Sequence, residues 1–217
     1  MQRTAVRRAV MAGAALATAL LLAACGGGHD QTPGMHPAAT TPAGGGTSSA
    51  AAFNNADVMF AQMMIPHHQQ AVQMAALADT RAADPEVKTL AGQIKAAQDP
   101  EIQTMQGWLT AWGKPAPAMS DGMGGMDHGA MPGMSGPSAM PGMMSDADMA
   151  RLRAASGKDF DKQFCTMMIA HHQGAITMAN QELANGTNAD AKALAQQIIT
   201  AQQAEIATMQ KIVARLS

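Results

Sequence analysis

The chain repeats itself, and the repeat limits what it can fold into. The segment MMIPHHQQAVQMA at residues 63–75 returns as MMIAHHQGAITMA at residues 167–179. The same shift of 104 positions aligns Asp57 with Asp161 and Phe60 with Phe164. It also aligns LAGQIKAAQDPEIQTMQ (90–106) with LAQQIITAQQAEIATMQ (194–210), all without a gap. A match of this kind over about 50 residues marks a duplicated unit, and a unit that short is too thin to bury an apolar face alone. The two copies are therefore expected to pack on each other.

Their periodicity is helical. At about 100° per residue, Phe60, Met63, Met64, His67, His68, Ala71, Met74 and Ala75 fall on one broad arc, with Gln62, Gln69 and Gln73 opposite. The second helix of the unit carries the stripe Leu90, Ile94, Ala97, Glu101, Met105 and Trp108, which places Glu101 and its copy Glu205 in a row expected to be buried. Pro66 conflicts with a helix interior, at about 3 kcal/mol or a kink. Its copy is Ala170, and helix remains the better reading. Short loops near Asp84 and Asn185-Gly186 and a long connection between copies predict an all-α fold: a four-helix bundle built from two duplicated helix pairs, residues 53–112 and 146–217. A lead-in from Asp146 to Ala155, broken at Ser156-Gly157, is expected before the third long helix.

The remaining segments have other tasks. Arg3, Arg7 and Arg8 precede an apolar run too short for a comfortable membrane span, so residues 1–24 read as a secretory signal. Leu22-Ala23-Ala24-Cys25 resembles a bacterial lipobox, which implies cleavage before Cys25, a lipid on its sulfur, and attachment to the extracytoplasmic face of the cell membrane. If Cys25 carries lipid, Cys165 has no partner within the chain for a disulfide. Residues 25–52 read as a flexible tether. Without the signal the chain keeps 11 Lys and Arg against 16 Asp and Glu, a balance that offers nothing to nucleic acid.

Residues 113–145 read as a Met-rich disordered linker, since their Gly and Pro content excludes helix and strand. Eight of the chain's 21 methionines nevertheless fall here. The pairs Met123/Met126, Met131/Met134 and Met140/Met143 keep an M-x-x-M spacing beside His128, where packing cannot explain them. Exposed methionine is a poor use of an apolar side chain unless its sulfur is wanted.

The repeats carry the sharper chemistry. Met63 and His67 lie four residues apart and face the same way, as do Met64 and His68, while Met74 returns to the Met63 side. Met167, Met168, His171, His172 and Met178 repeat the pattern. Methionine stripes are ordinarily core packing. Adjacent buried imidazoles are harder to explain that way, because each ring nitrogen needs a partner. Soft thioether sulfur selects Cu(I) or Ag(I), and imidazole accepts either. Glu101 and Glu205 read as acceptors that orient a histidine ring, with direct ligation as the other reading. A di-iron bundle would carry Glu-x-x-His on its helices, and Glu86, Glu101, Glu182 and Glu205 all lack it, which disfavours iron. Cys165, in place of Ala61, reads equally as a third soft ligand or as a small buried residue.

The paired double-histidine segments, each followed by I-x-x-A-Q-x-x-E-I-x-x-M, resemble the bacterial ferritin-like family known as domain of unknown function 305, from Asn54 to about Leu216 without the Met-rich insert. Some members bind copper outside the cytoplasm and are linked to copper resistance. By motif, the resemblance implies a metal role for Met63, Met64, His67, His68, Met74 and Met105, and for Met167, Met168, His171, His172, Met178 and Met209. The leading expectation is a lipid-anchored protein that sequesters Cu(I) or hands it to a copper-transfer protein. A metal-dependent oxidase and a structural or interaction lipoprotein with a Met-rich core are the rivals.

Overall fold

The computed structural model describes residues 52–117 and 140–217. They form α1 (Asn55–Arg81), α2 (Pro85–Ala111), α3 (Asp146–Ala154), α4 (Gly157–Asn185) and α5 (Ala189–Leu216), with no strand among the described residues. The fold is an all-α bundle of four long helices with α3 as the lead-in. The signal, nearly all of the tether and residues 118–139 lie outside the described residues.

Local chemistry sets the helix starts. Asn54 caps α1 by accepting from Ala56 and Asp57 backbone N–H groups, while Asp57 accepts from the Asn54 N–H at 2.6 Å, a reciprocal pair that satisfies donors a helix start leaves open. Asp84 caps α2, whose first residue, Pro85, has no N–H to lose. Helices α1 and α2 run through Pro66 and Pro100 without a break.

The carboxylates aligned by the repeat then tie the halves together. Asp57 of α1 accepts from the N–H groups of Thr187 and Asn188, just ahead of α5. Asp161 of α4 accepts from those of Ala83 and Asp84, just ahead of α2. Each second helix is thus anchored at its start by the opposite half. Both carboxylates are buried, and losing either would strand backbone donors at about 1–3 kcal/mol each. The reciprocity also places α1 antiparallel to α4. Helix α1 packs on α2, α4 on α5, and α1 against α4 through the centre.

The interior is two apolar clusters rather than one. Val58, Phe60, Ala61, Met64 and Ile65 of α1 join Ala175, Met178 and Ala179 of α4; Phe164, Cys165 and Met168 of α4 join Ala71, Met74, Ala75 and Ala78 of α1. The repeat exchanges the two sets except at Val58, whose counterpart is Lys162, and Ala78, whose counterpart is Glu182. Between them on each central helix lie the paired histidines.

One expectation needs correction. The buried stripe of α2 is Val87, Leu90, Ala91, Ile94, Gln98, Ile102, Met105 and Leu109, so Ala97 is exposed and Trp108 sits at the margin. Glu101 and Glu205 lie at the edge of the core, with side chains 18% and 17% exposed. The stripe is rotated from the one read in sequence because Gln98, a polar residue, occupies a core position.

Candidate metal centre

His67, His68, His171 and His172 are all buried at mid-helix, where the central helices meet. The rings of His67 and His171, equivalent under the repeat, lie 3.7 Å apart between centroids and are tilted by 36°. Their neighbours turn outward to the second helix of their own half. His68 Nε2 lies 2.8 Å from Glu101 Oε2, and His172 Nε2 lies 2.7 Å from Glu205 Oε2.

These contacts decide which nitrogen carries hydrogen. A carboxylate only accepts, so His68 and His172 donate from Nε2, and in the neutral ring Nδ1 is then the nitrogen with the lone pair. His67 donates from Nε2 to the Pro141 carbonyl at 3.0 Å, with the same result. Among the described residues, Nδ1 of His67, His68 and His172 and both nitrogens of His171 have no hydrogen-bond partner. Unmet acceptors at such depth are costly unless something else occupies them. Burial pushes the His67 pKa down to about 3, helped by neighbouring His68. Burial, followed by the adjacent imidazoles, holds His171 well below the usual histidine range. Both rings are neutral near pH 7, so a proton does not compete for their lone pairs.

Sulfur is distributed with the same symmetry. Met64 of α1, Met105 of α2 and Met178 of α4 share one apolar cluster; Met168 of α4, Met209 of α5 and Met74 of α1 share the other. Each trio draws on three helices and is fully buried or nearly so. Met64 and His68 are one turn apart on α1, and Met105 and Glu101 are one turn apart on α2. The His68–Glu101 bond brings those two turns together. Met63 and Met167 are only half-buried, at the margins. Cys165 lies in the cluster of the second trio, and burial, reinforced by Asp161, Asp84 and Glu86, pushes its pKa up to about 12. It is held as a thiol, the form that binds metal poorly. Met140 and Met143 are half-buried beside Pro141. Met123, Met126, His128, Met131, Met134 and Cys25 lie outside the described residues.

Among the described residues, no three His, Cys, Asp or Glu side chains converge as a metal cage would require. Imidazole and thioether are the donors on offer, a set suited to soft monovalent ions. Three participants were not read in the sequence. Gln98 and Gln202, again equivalent, are buried with their side-chain carbonyls unpartnered; each stands three residues before the glutamate that holds a histidine. Pro141 contributes only its backbone, which side-chain reasoning cannot see.

A twinned imidazole and thioether interior in an all-α bundle defines the class of protein. The chain belongs to the DUF305 family, a domain of unknown function, whose family model matches residues 57–213. Solved structures similar to it include a candidate secreted DUF305 protein from Streptomyces coelicolor, 32% identical, with a TM-score of 0.63 over 74% of this chain and 93% of that one. A DUF305 fragment from Deinococcus radiodurans is 32% identical, with a TM-score of 0.62 over 75% and 97%. CopM in its Cu(II)-bound form is 34% identical, with a TM-score of 0.59 over 74% and 97%, and CopM is also solved in Cu(I)-bound, silver-bound and apo forms. No curated protein matches the chain. No helix among the described residues is long and apolar enough to cross a membrane.

Proposed function

We propose that this protein binds Cu(I), and Ag(I) as its analogue, at two sites inside the bundle related by the internal repeat. One site uses His68 Nδ1 with Met64, Met105 and Met178; the other uses His172 Nδ1 with Met168, Met209 and Met74. The observation that carries this reading is the bare Nδ1 of each ring, held in place by Glu101 or Glu205 and unpartnered in the interior. A carboxylate behind the ring fixes its tautomer and strengthens it as a donor. Thioethers then select the monovalent ion over zinc or iron. The Cu(I)- and silver-bound structures of CopM, 33% identical, support the same reading.

The test is anaerobic Cu(I) titration of the purified bundle against a chromophoric chelator, with metal analysis of the product. Two ions per chain should resist the chelator and an excess of zinc. Iron bound stoichiometrically on isolation, with turnover of Fe(II) and oxygen, would favour the oxidase reading instead.

The residues before the bundle support an extracytoplasmic location, with Cys25 as the site of lipid attachment and the protein sequestering copper at the membrane or passing it to a transfer partner. Cys25→Ser is expected to move the protein from the membrane fraction to the soluble one or to leave its precursor uncleaved. An unmodified Cys25 in the wild-type mature protein, read by mass spectrometry, would remove the anchor from this account.

A further inference from the structure

The halves match closely around the histidines except where one short piece of chain lies across them. Residues 140–145 precede α3 as an irregular strap, and its Pro141 carbonyl accepts from His67 Nε2. The side-chain amide of Gln70 clamps the strap in both directions, donating to the Met144 carbonyl at 2.9 Å and accepting from the Met144 N–H at 2.7 Å. Position 70 corresponds to Gly174 in the other half. A Cβ on Gly174 would come within 1.9 Å of the Pro141 carbonyl oxygen. A Cβ on Gly142, whose φ is +78°, would stand 2.7 Å from the Ala170 carbonyl oxygen and 2.9 Å from that of His171. The positive φ and the close approach both call for glycine at 142.

One copy of the duplicated motif therefore supplies the hand that grips the strap, and the other supplies the space in which it lies. We infer that Pro141, Gln70 and Gly174 are positioning residues of the metal centre: through the Pro141 carbonyl the strap fixes the tautomer of His67, which adjoins the proposed ligand His68 on α1, and it controls how fast an ion exchanges with the interior. Its consequence is an asymmetric centre. His67 is held with Nε2 protonated and Nδ1 bare, whereas His171, 3.7 Å away, has neither nitrogen engaged. Soft ions exchange by local opening, and the region that opens is the one held by few buried apolar contacts and a few hydrogen bonds. Pro141 itself is exposed, and Gly142 is half-buried.

This inference rests on the copper reading above, and the experiment separates the two. Gly174→Gln gives the second half the side chain of the first and expels the strap; Gln70→Ala removes the clamp with little else changed. The full chain is loaded with Ag(I) or Cu(I), and transfer to an excess of chelator is followed by stopped flow. Both variants are expected to release the ion roughly tenfold faster than wild type, the scale of losing one or two neutral hydrogen bonds. Nitrogen-15 spectra of the metal-free protein should show His67 protonated at Nε2 in the wild type and mixed between tautomers in Gly174→Gln. Faster exchange of the Met144 amide with deuterium should report strap release in Gln70→Ala even if Gly174→Gln fails to fold. Unchanged release from Gln70→Ala with a freed Met144 amide would overturn the strap's role while leaving the copper sites standing. Failure of the wild type to retain either ion would instead remove the copper reading itself.

Discussion

His171→Ala with His172→Ala is expected to abolish one of two tight Cu(I) sites and leave the other. Affinity at the lost site should fall by roughly a hundredfold or more, since an imidazole donor is removed outright and even the loss of a group that only orients a ligand costs 10–100-fold. The reciprocal pair, His67→Ala with His68→Ala, should remove the other site, and all four substitutions together should remove both. Truncation leaves cavities and strands Glu205 or Glu101 without its partner, so melting temperature should fall moderately while circular dichroism retains its helical signal. A folded double variant that titrates with Cu(I) like the wild type would make the histidines packing residues.

The second large effect concerns pH and lies away from the histidines. Glu182, 1% exposed, stands where the first half has Ala78, and Gly186 stands where it has Ala82. A Cβ on Gly186 would strike the Glu182 carboxyl, so the glycine makes the acid possible. Burial, then the neighbouring Asp57 carboxylate, push the Glu182 pKa up to about 8 against a smaller opposing pull from Lys192. Burial would raise Asp57 too, but the hydrogen bonds from the Asn54, Asn188 and Thr187 backbone outweigh it and lower its pKa. Near neutrality Glu182 thus keeps its proton while Asp57 is ionised. Between pH 4.5 and about 8 the folded protein holds a proton at Glu182 that the unfolded chain has released, so this group makes stability fall as pH rises, with no further loss above 8. Glu182→Gln, which keeps the shape of the side chain without its ionisation, should match wild type near pH 4.5. It should exceed it by roughly 1–3 kcal/mol at pH 8 in urea denaturation. Buried His67 and His171 run the opposite way on acidification, and the difference between variant and wild type cancels them. Parallel stability profiles for the two proteins across this range would exclude a proton retained at Glu182.

The repeat, the four long helices and the lead-in at Asp146 were legible because a 104-residue shift and a helical stripe survive in sequence without tertiary knowledge. The histidine pairs announced themselves by doubling. The rotated stripe of α2 was not legible, since Gln98 reads as a surface residue until its neighbours are known. Nor was the division of methionines into trios, because Met64 and Met178 meet across α1 and α4, 114 positions apart. The strap was hidden for a third reason: its contact with the centre is a carbonyl, which every residue possesses. The unlike residues Gln70 and Gly174 acquire their meaning once Met144 and Pro141 are seen beside them.

The crossed carboxylates have a further meaning. Because Asp57 secures the start of α5 and Asp161 the start of α2, neither hairpin completes its own hydrogen bonding without the other. This is the logic of an isologous dimer, in which the same patch is offered by both partners. Here the partners share one backbone, so their union is unimolecular and does not weaken on dilution as that of separate subunits would. Covalent joining also frees each half to diverge, and the unlike residues at 70 and 174, or at 78 and 182, are differences that two identical subunits could never have acquired.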